Sequence, residues 1–257
     1  MEKLDKKIAI IGVGHIGSSL AKGLLNSGFK KENLILSNSA KNNRKAVSQA
    51  DWILLAVKPF MVRQVLVEIK DDISNKLLIS VAAAISVTSI SKYARNGQKI
   101  IRIMPNIPVA YNNGLIGLYA NKAVSKLDKK EIVNILSLLG LVLEVKREKE
   151  LDEITLISAC GPAIVSQFIE YLSNYGIKRG LSSELSRKLA QQTFRSTISY
   201  LDNSAFTPAT LIQSVSTKGG ISEAILQDME NNQLSSSFNN SMDSGYQKLT
   251  KLKESLQ

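Results

Sequence analysis

Short β-branched apolar runs alternate with helical spacing through the first half of the chain. Residues 7–13, KIAIIGV, form the first such run. It ends in glycines and gives way to HIGSSLAKGLLNSG, where Ile16, Leu20, Leu24 and Leu25 recur at helical intervals. The same reasoning predicts strands over 33–38, 51–57, 76–83, 99–105, 114–121 and 141–146, and helices over 61–73, 86–94 and 125–140. Strands alternating with helices imply a mostly parallel sheet covered on both faces.

From about residue 149 the pattern changes. No strand is predicted there. Helices are expected over 149–176, 182–203, 207–215, 221–232 and 235–256, several opening on Ser or Thr as N-caps. Thr207-Pro208 is a cap followed by proline at the first helical position. One stretch resists this reading. ACGPAIVSQFIEYL, residues 159–172, seats Gly161 and Pro162 inside an apolar run, where both normally break a helix. Either the helix has a boundary there or the backbone must approach something closely.

A chain of 257 residues has room for one large domain or two modest ones. Its net charge of +11 points to an anionic partner. Aromatic residues make up 5% and do not interleave with basic ones, so a solvated basic surface fits better than a nucleic-acid groove, and a phosphate-bearing small molecule would also profit from the positive field. Apolar runs look too short to span a bilayer, and the charged N-terminus reads as the lead-in to a strand. The expectation is a cytoplasmic chain with no membrane partner. The single cysteine, Cys160, leaves no intrachain disulfide and no metal cluster, so no metal is expected.

The chemistry begins at GVGHIG, residues 12–17, a G-x-G-x-x-G directly after a strand and before a helix. Gly12 allows the tight turn, Gly14 lets the backbone reach a pyrophosphate, and Gly17 permits close helix–strand packing. Val13, His15 and Ile16 complete the turn, and the helix N-terminus presents free N–H groups to phosphate. His15, the only histidine, is expected to act through its backbone N–H rather than as a general base. The fold class is therefore Rossmann-type: a doubly wound, mostly parallel α/β domain over 1–149, then an all-α domain over 150–257. After the second strand comes SNSAKNNRK, with no acid to take ribose hydroxyls. Ser37, Asn38, Lys41, Asn43, Arg44 and Lys45 stand there instead, favouring NADP(H), with NAD(H) possible.

Five further segments occur in order: AVKP (56–59), SVAAAIS (80–86), RIMPNIP (102–108), LDEITLISACGPA (151–163) and STKGGISEAI (216–225). With the glycine turn they resemble the pyrroline-5-carboxylate reductase family over nearly the whole chain. The resemblance implies reduction of a cyclic imine, pyrroline-5-carboxylate, to proline with NAD(P)H, by dimers built on intertwined C-terminal helices that often form larger rings. It implies that Ala56, Val57, Lys58 and Pro59, with Val81, Ala82 and Ala83, line the cofactor, and that Asn106 lies towards the nicotinamide. Gly161, Pro162 and Ala163 would approach the reacting ring. Thr217, Gly219, Gly220 and Ile221 would hold the substrate carboxylate, largely through backbone N–H groups. Ser222 would hydrogen-bond the imine nitrogen and deliver or polarise a proton.

The chain also departs from the family. Lys218 replaces the usual proline, Ile221 a Thr or Ala, and SAFTP (204–208) lacks an acid and a histidine. Between LSNS (36–39) and NNRKAVSQADWILLAV (42–57) a helix and a strand are missing, together with an Arg where Ser39 stands. The sheet is expected to lose an edge strand and the adenosine site a wall. Two alternatives stay open on these grounds: an imine reductase with a shifted substrate, and a catalytically weak dimeric binding or regulatory relative.

Overall fold

The computed structural model describes residues 6–256. Among them a seven-stranded sheet runs in the order β2-β1-β3-β4-β5-β6-β7. The strands are β1 (Ile8–Ile11), β2 (Leu34–Ser37), β3 (Trp52–Leu55), β4 (Leu77–Ser80), β5 (Lys99–Pro105), β6 (Gly114–Ala120) and β7 (Gly140–Glu144). All neighbours pair in parallel except β5 and β6, which are antiparallel.

Between them lie α1 (His15–Asn26), α2 (Ala40–Ser48), α3 (Val62–Ile69), α4 (Val87–Tyr93) and α5 (Lys126–Leu136). Side chains alternate across a strand, so each central strand feeds two cores. Ile8 and Ile10 pack with Leu20 and Leu24 of α1 and Ile132 and Ile135 of α5. Ala9 and Ile11 pack with Val47 of α2, Leu66 and Ile69 of α3 and Ile90 of α4. Burial on both faces is why these strands read as unbroken apolar runs. Ile10 and Leu55 are fully buried, and each contributes about 1.5–3 kcal/mol by leaving water. An exposed ion pair such as Lys188–Glu184 contributes about 1 kcal/mol or less. Core burial rather than surface charge holds the sheet together.

The strand order is that of a dinucleotide-binding sheet without its outermost strand. The usual order 3-2-1-4-5-6 places one more strand beyond the second, whereas here β2 is the edge. The short connection does hold a helix that the sequence reading did not identify. α2 buries only Asn43, Ala46 and Val47, so its apolar stripe is too narrow to register as a helical period.

The predicted helix over 149–176 is corrected to three pieces. α6 (Glu150–Ile154) passes into a π-helical turn, Thr155–Ala159, and α7 (Gly161–Lys178) follows. The Cys160 N–H donates to the Thr155 carbonyl at 2.9 Å, an i→i+5 bond. Pro162 falls in the first turn of α7, where its missing N–H has no partner to lose. Such π turns recur at functional sites. The expectation of no long apolar run is also corrected: Glu150–Lys178 is long and apolar enough to cross a membrane by length and composition.

The remaining helices are α8 (Ser183–Asp202), α9 (Pro208–Val215), α10 (Ile221–Asn231) and α11 (Leu234–Ser255). Among the described residues, one compact unit comprises those up to Pro162 together with those from Tyr246 onward; the other is Ala163–Gly245. In the first, the buried Arg102 pairs with Glu148 at 2.6 Å, Glu148 also accepts from the Val87 N–H, and Lys253 of α11 donates to Asp152. In the second, α8 buries only Ser186 and Ala190, and α9 and α10 bury nothing. Leu185, Leu189, Ile198, Ile212 and Val215 are all exposed there. Helices with such apolar faces need a covering surface.

Candidate active site

The glycine turn is built by contact. Gly12 has φ +98°, and a Cβ on it would lie 2.7 Å from the Ala56 carbonyl oxygen. A Cβ on Gly17 would lie 2.0 Å from the Gly12 carbonyl oxygen. Both must be glycine for β1, α1 and the end of β3 to close together. Gly14 differs: a Cβ there meets nothing within 4 Å, and its φ of −79° suits any residue. Packing does not require a glycine at 14, so the room it leaves is room for a ligand. Gly14 is the N-cap of α1 and makes no side-chain cap, so the N–H groups of the first turn, at His15, Ile16 and Gly17, have no intrahelical acceptor. This is an anion site by geometry and dipole.

The turn is tied to the end of β2. The Gly12 N–H donates to the Ser37 carbonyl at 2.8 Å, and the Val13 N–H to Asn38 Oδ1 at 3.2 Å. Beside it opens a cleft of about 320 Å³ lined by Gly12, Gly14, Ser37, Asn38, Ser39 and Asn43, by Ala56, Val57 and Lys58, and by Gln64 and Glu68 of α3. That volume lies at the small end of the range for ligand sites and matches part of a dinucleotide. The cradle that a Cβ would fill and the free N–H groups fit the pyrophosphate of NAD(P)H.

Eight of the residues named from sequence for the cofactor therefore share one cleft: Gly12, Gly14, Ser37, Asn38, Asn43, Ala56, Val57 and Lys58. Pro59 opens a short 3₁₀ turn next to it. Val81 and Ala82 are buried at the end of β4, and Ala83 is half-buried. Asn106 is committed within the protein. Its Oδ1 accepts from the Leu115 N–H at 2.8 Å and its Nδ2 donates to Ser158 Oγ at 3.2 Å, joining β5, β6 and the π turn.

Two expectations about charge change. Arg44 does not line the cleft; its guanidinium donates to Asp72 at 2.7 Å. That bond and the charge of Asp72 raise the pKa of Arg44, and the bond to Arg44 draws the Asp72 carboxyl below its ordinary value. Lys58 is the one cation among the described lining residues. Moreover, the cleft does contain an acid. Glu68 arrives from α3, and its Oε2 accepts from Asn43 Nδ2 at 3.2 Å.

In the second unit, Thr217 to Gly220 form a tight turn, closed by the Gly220 N–H donating to the Thr217 carbonyl at 2.9 Å. Gly219 has φ +76°, as the third residue of a type II turn demands. Proline and lysine both suit the preceding position, so Lys218 preserves the turn. The N–H groups are not all free, however. Of the three expected to take a carboxylate, that of Gly219 donates to the Glu223 carboxylate at 2.6 Å, that of Gly220 is used in the turn, and that of Ile221 lacks an acceptor among the described residues. Ser222 is exposed, in the first turn of α10, whose N-cap is Gly220. Gly161 has open space around its Cβ position, and Ala163 follows Pro162 as the first residue of the second unit.

Comparison with known proteins matches residues 148–252 to a family model described as pyrroline-5-carboxylate reductase dimerisation. Residues 7–44 and 37–84 match one described as NADP oxidoreductase, coenzyme F420-dependent. A pyrroline-5-carboxylate reductase from Corynebacterium melassecola is 28% identical over 251 residues, covering 90% of this chain and 93% of that protein. One from Arabidopsis thaliana is 28% identical, with 87% of each chain covered. Among solved structures, a Plasmodium falciparum pyrroline carboxylate reductase with NADP bound superposes with TM-score 0.91 at 32% identity, covering 97% of this chain and 98% of that one. A Coxiella burnetii pyrroline-5-carboxylate reductase gives TM-score 0.83 at 26% identity, with 96% and 98% covered.

Proposed function

Because the chain belongs to the pyrroline-5-carboxylate reductase family, we propose that it reduces pyrroline-5-carboxylate to proline with NAD(P)H. The observation that carries this reading is Gly14: a glycine that neither packing nor backbone conformation requires, at an uncapped helix N-terminus beside the cleft. The shortened adenosine side is no obstacle. The Plasmodium falciparum protein, which has NADP bound, is nearly coextensive with this chain. NADP(H) is the cofactor on this reading, with NAD(H) possible.

The cofactor supplies a hydride to the imine carbon, while a proton must reach the imine nitrogen. Gly12 to Gly17 hold the pyrophosphate through N–H groups, and Ala56 to Lys58 line the path along it. The turn at Thr217–Ile221 takes the substrate carboxylate, with the Ile221 N–H as the available donor. A carboxylate reaching Gly219 displaces Glu223 from it. Ser222 hydrogen-bonds the nitrogen as it becomes an amine, and Gly161, Pro162 and Ala163 let the ring approach the helix backbone. Residues 1–149 serve the nucleotide and 150–257 serve substrate and assembly.

The test is a purified chain with NADPH and pyrroline-5-carboxylate, followed by absorbance. Cofactor oxidation that depends on this imine is expected. Oxidation with the six-membered imine alone would transfer the assignment to the shifted-substrate reading.

The chain carries the family's dimerisation region and assembles as a homo-oligomer. We take the unit of assembly to be a dimer, because pairing covers the apolar faces of α8 and α9. Light scattering at micromolar concentration should report at least twice the 28.1 kDa of the chain. A monomer at full activity would overturn this.

A further inference from the structure

Glu68 is the group in the cleft that the family reading leaves unused. Ser37, the last residue of β2, donates from Oγ to Asn43 Oδ1 at 2.8 Å, and Asn43 Nδ2 donates to Glu68 Oε2 at 3.2 Å. Ser37 and Asn43 are both buried. A carboxylate has no proton to give, so Glu68 fixes the amide of Asn43 with its nitrogen towards α3 and its oxygen towards Ser37. The other carboxylate oxygen, Oε1, is buried and has no hydrogen-bond partner. A buried acceptor left without a donor is costly, and such groups call for an explanation. Arg44 is within electrostatic reach but gives its guanidinium to Asp72.

The place of this acid matters. In dinucleotide-binding sheets a carboxylate at the end of the second strand takes the ribose hydroxyls of NAD, and its absence admits the 2′-phosphate of NADP. Here β2 ends in Ser37, and Asn38 and Ser39 follow it with no acid. Through Asn43, α3 brings a carboxylate to the same strand end, and Glu68 lines the same cleft as Ser37, Asn38 and Ser39.

We propose that Glu68 is the specificity-determining acid of the adenosine end: it accepts the ribose 2′-hydroxyl of NADH and so keeps the unphosphorylated cofactor usable. Oε1 is buried in the free protein, so the carboxylate must turn towards the cleft to take that hydroxyl, and the orphaned oxygen then gains its donor. For NADPH, which carries phosphate in place of that hydroxyl, Glu68 offers only negative charge. The preference between the two cofactors is then a balance between Glu68 on one side and Ser39, Lys58 and the N-terminus of α2 on the other. The inference rests on reading the cleft as the nucleotide site.

The experiment is a fluorescence titration of the free protein with NADH and with NADPH, without substrate, in wild type and Glu68→Gln. Glutamine keeps the size and an oxygen to accept from Asn43, so the melting temperature of the free protein should hold. The Kd for NADH should rise about 10-fold, as expected for losing one bond to a charged acceptor, while that for NADPH holds or falls. 2′-Deoxy-NADH should bind wild type more weakly than NADH does, and the variant, whose amide nitrogen can only donate to the 2′-oxygen, should distinguish NADH from its deoxy form less than wild type does. Equal losses for both cofactors, or an unchanged ratio, would make Glu68 a structural partner of Asn43 and overturn its role alone. A wild-type chain that binds neither dinucleotide overturns the assignment of the cleft itself and the proposal with it. Neither result depends on which imine the enzyme reduces.

Discussion

Gly14→Val is expected to raise the Kd for NADPH by more than about 100-fold while the free protein stays folded. The loss follows from distance. A pyrophosphate held at the start of α1 takes charge-assisted bonds from backbone N–H groups, each contributing about 1.5–3 kcal/mol. A branched side chain at 14 occupies the approach, and two lost bonds suffice for that factor. The fold has no matching objection, since a Cβ at 14 meets nothing within 4 Å and the φ of −79° is ordinary. Valine caps a helix less well than glycine, which costs about 1 kcal/mol at most and shifts the melt by about 2–4 °C in a chain of this size. Gly17→Ala is the contrasting control. Its Cβ would sit 2.0 Å from the Gly12 carbonyl oxygen, so the turn itself must move and stability falls with binding. Calorimetric titration and a thermal melt on both variants check this. Undiminished affinity in Gly14→Val would place the pyrophosphate elsewhere.

What the sequence revealed, and what it hid, follows from how locally each constraint acts. The glycine turn was legible because its demands fall on residues within six positions of one another and between a strand and a helix that the apolar pattern already marks. The loss of an edge strand was legible from the family resemblance, because the connection after residue 39 is shorter here than in the family. α2 was not, because Ala46 and Val47 are nearly its whole buried face. The π turn was hidden because an i→i+5 bond between Cys160 and Thr155 changes no residue type. It nonetheless explains the oddity of Gly161 and Pro162, which begin a new helix rather than interrupt an old one. Glu68 was hidden by distance along the chain: an acid mid-helix reads as a solvated face until α3 is packed beside α2. Glu223 was hidden for the opposite reason, since a Glu in the first turn of a helix is an ordinary favourable residue there. Only the folded turn brings it to the Gly219 N–H.

The second large effect is expected at Ser222, where replacement by alanine should lower kcat by about 100-fold or more with NADPH affinity unchanged. Hydride arrival turns the imine nitrogen into an amine that needs a proton, so a hydroxyl partner there gains strength in the transition state and its loss falls on turnover. A capping role would predict something else: a loss of about 1 kcal/mol in stability and little change in rate. The structure weakens that competitor. The N-cap of α10 is Gly220, and Ser222 lies within the first turn, exposed and without a side-chain hydrogen bond among the described residues. A surface substitution of that kind usually changes stability by no more than about 0.5 kcal/mol. Ser222→Thr keeps the hydroxyl and should keep activity, which separates the loss of a proton donor from a general disturbance of the turn. Steady-state kinetics, NADPH titration and melts on the two variants decide the matter. A melt shift in Ser222→Ala with unchanged kcat would withdraw the catalytic role and leave the proton to be supplied by water or by another side chain on the substrate turn.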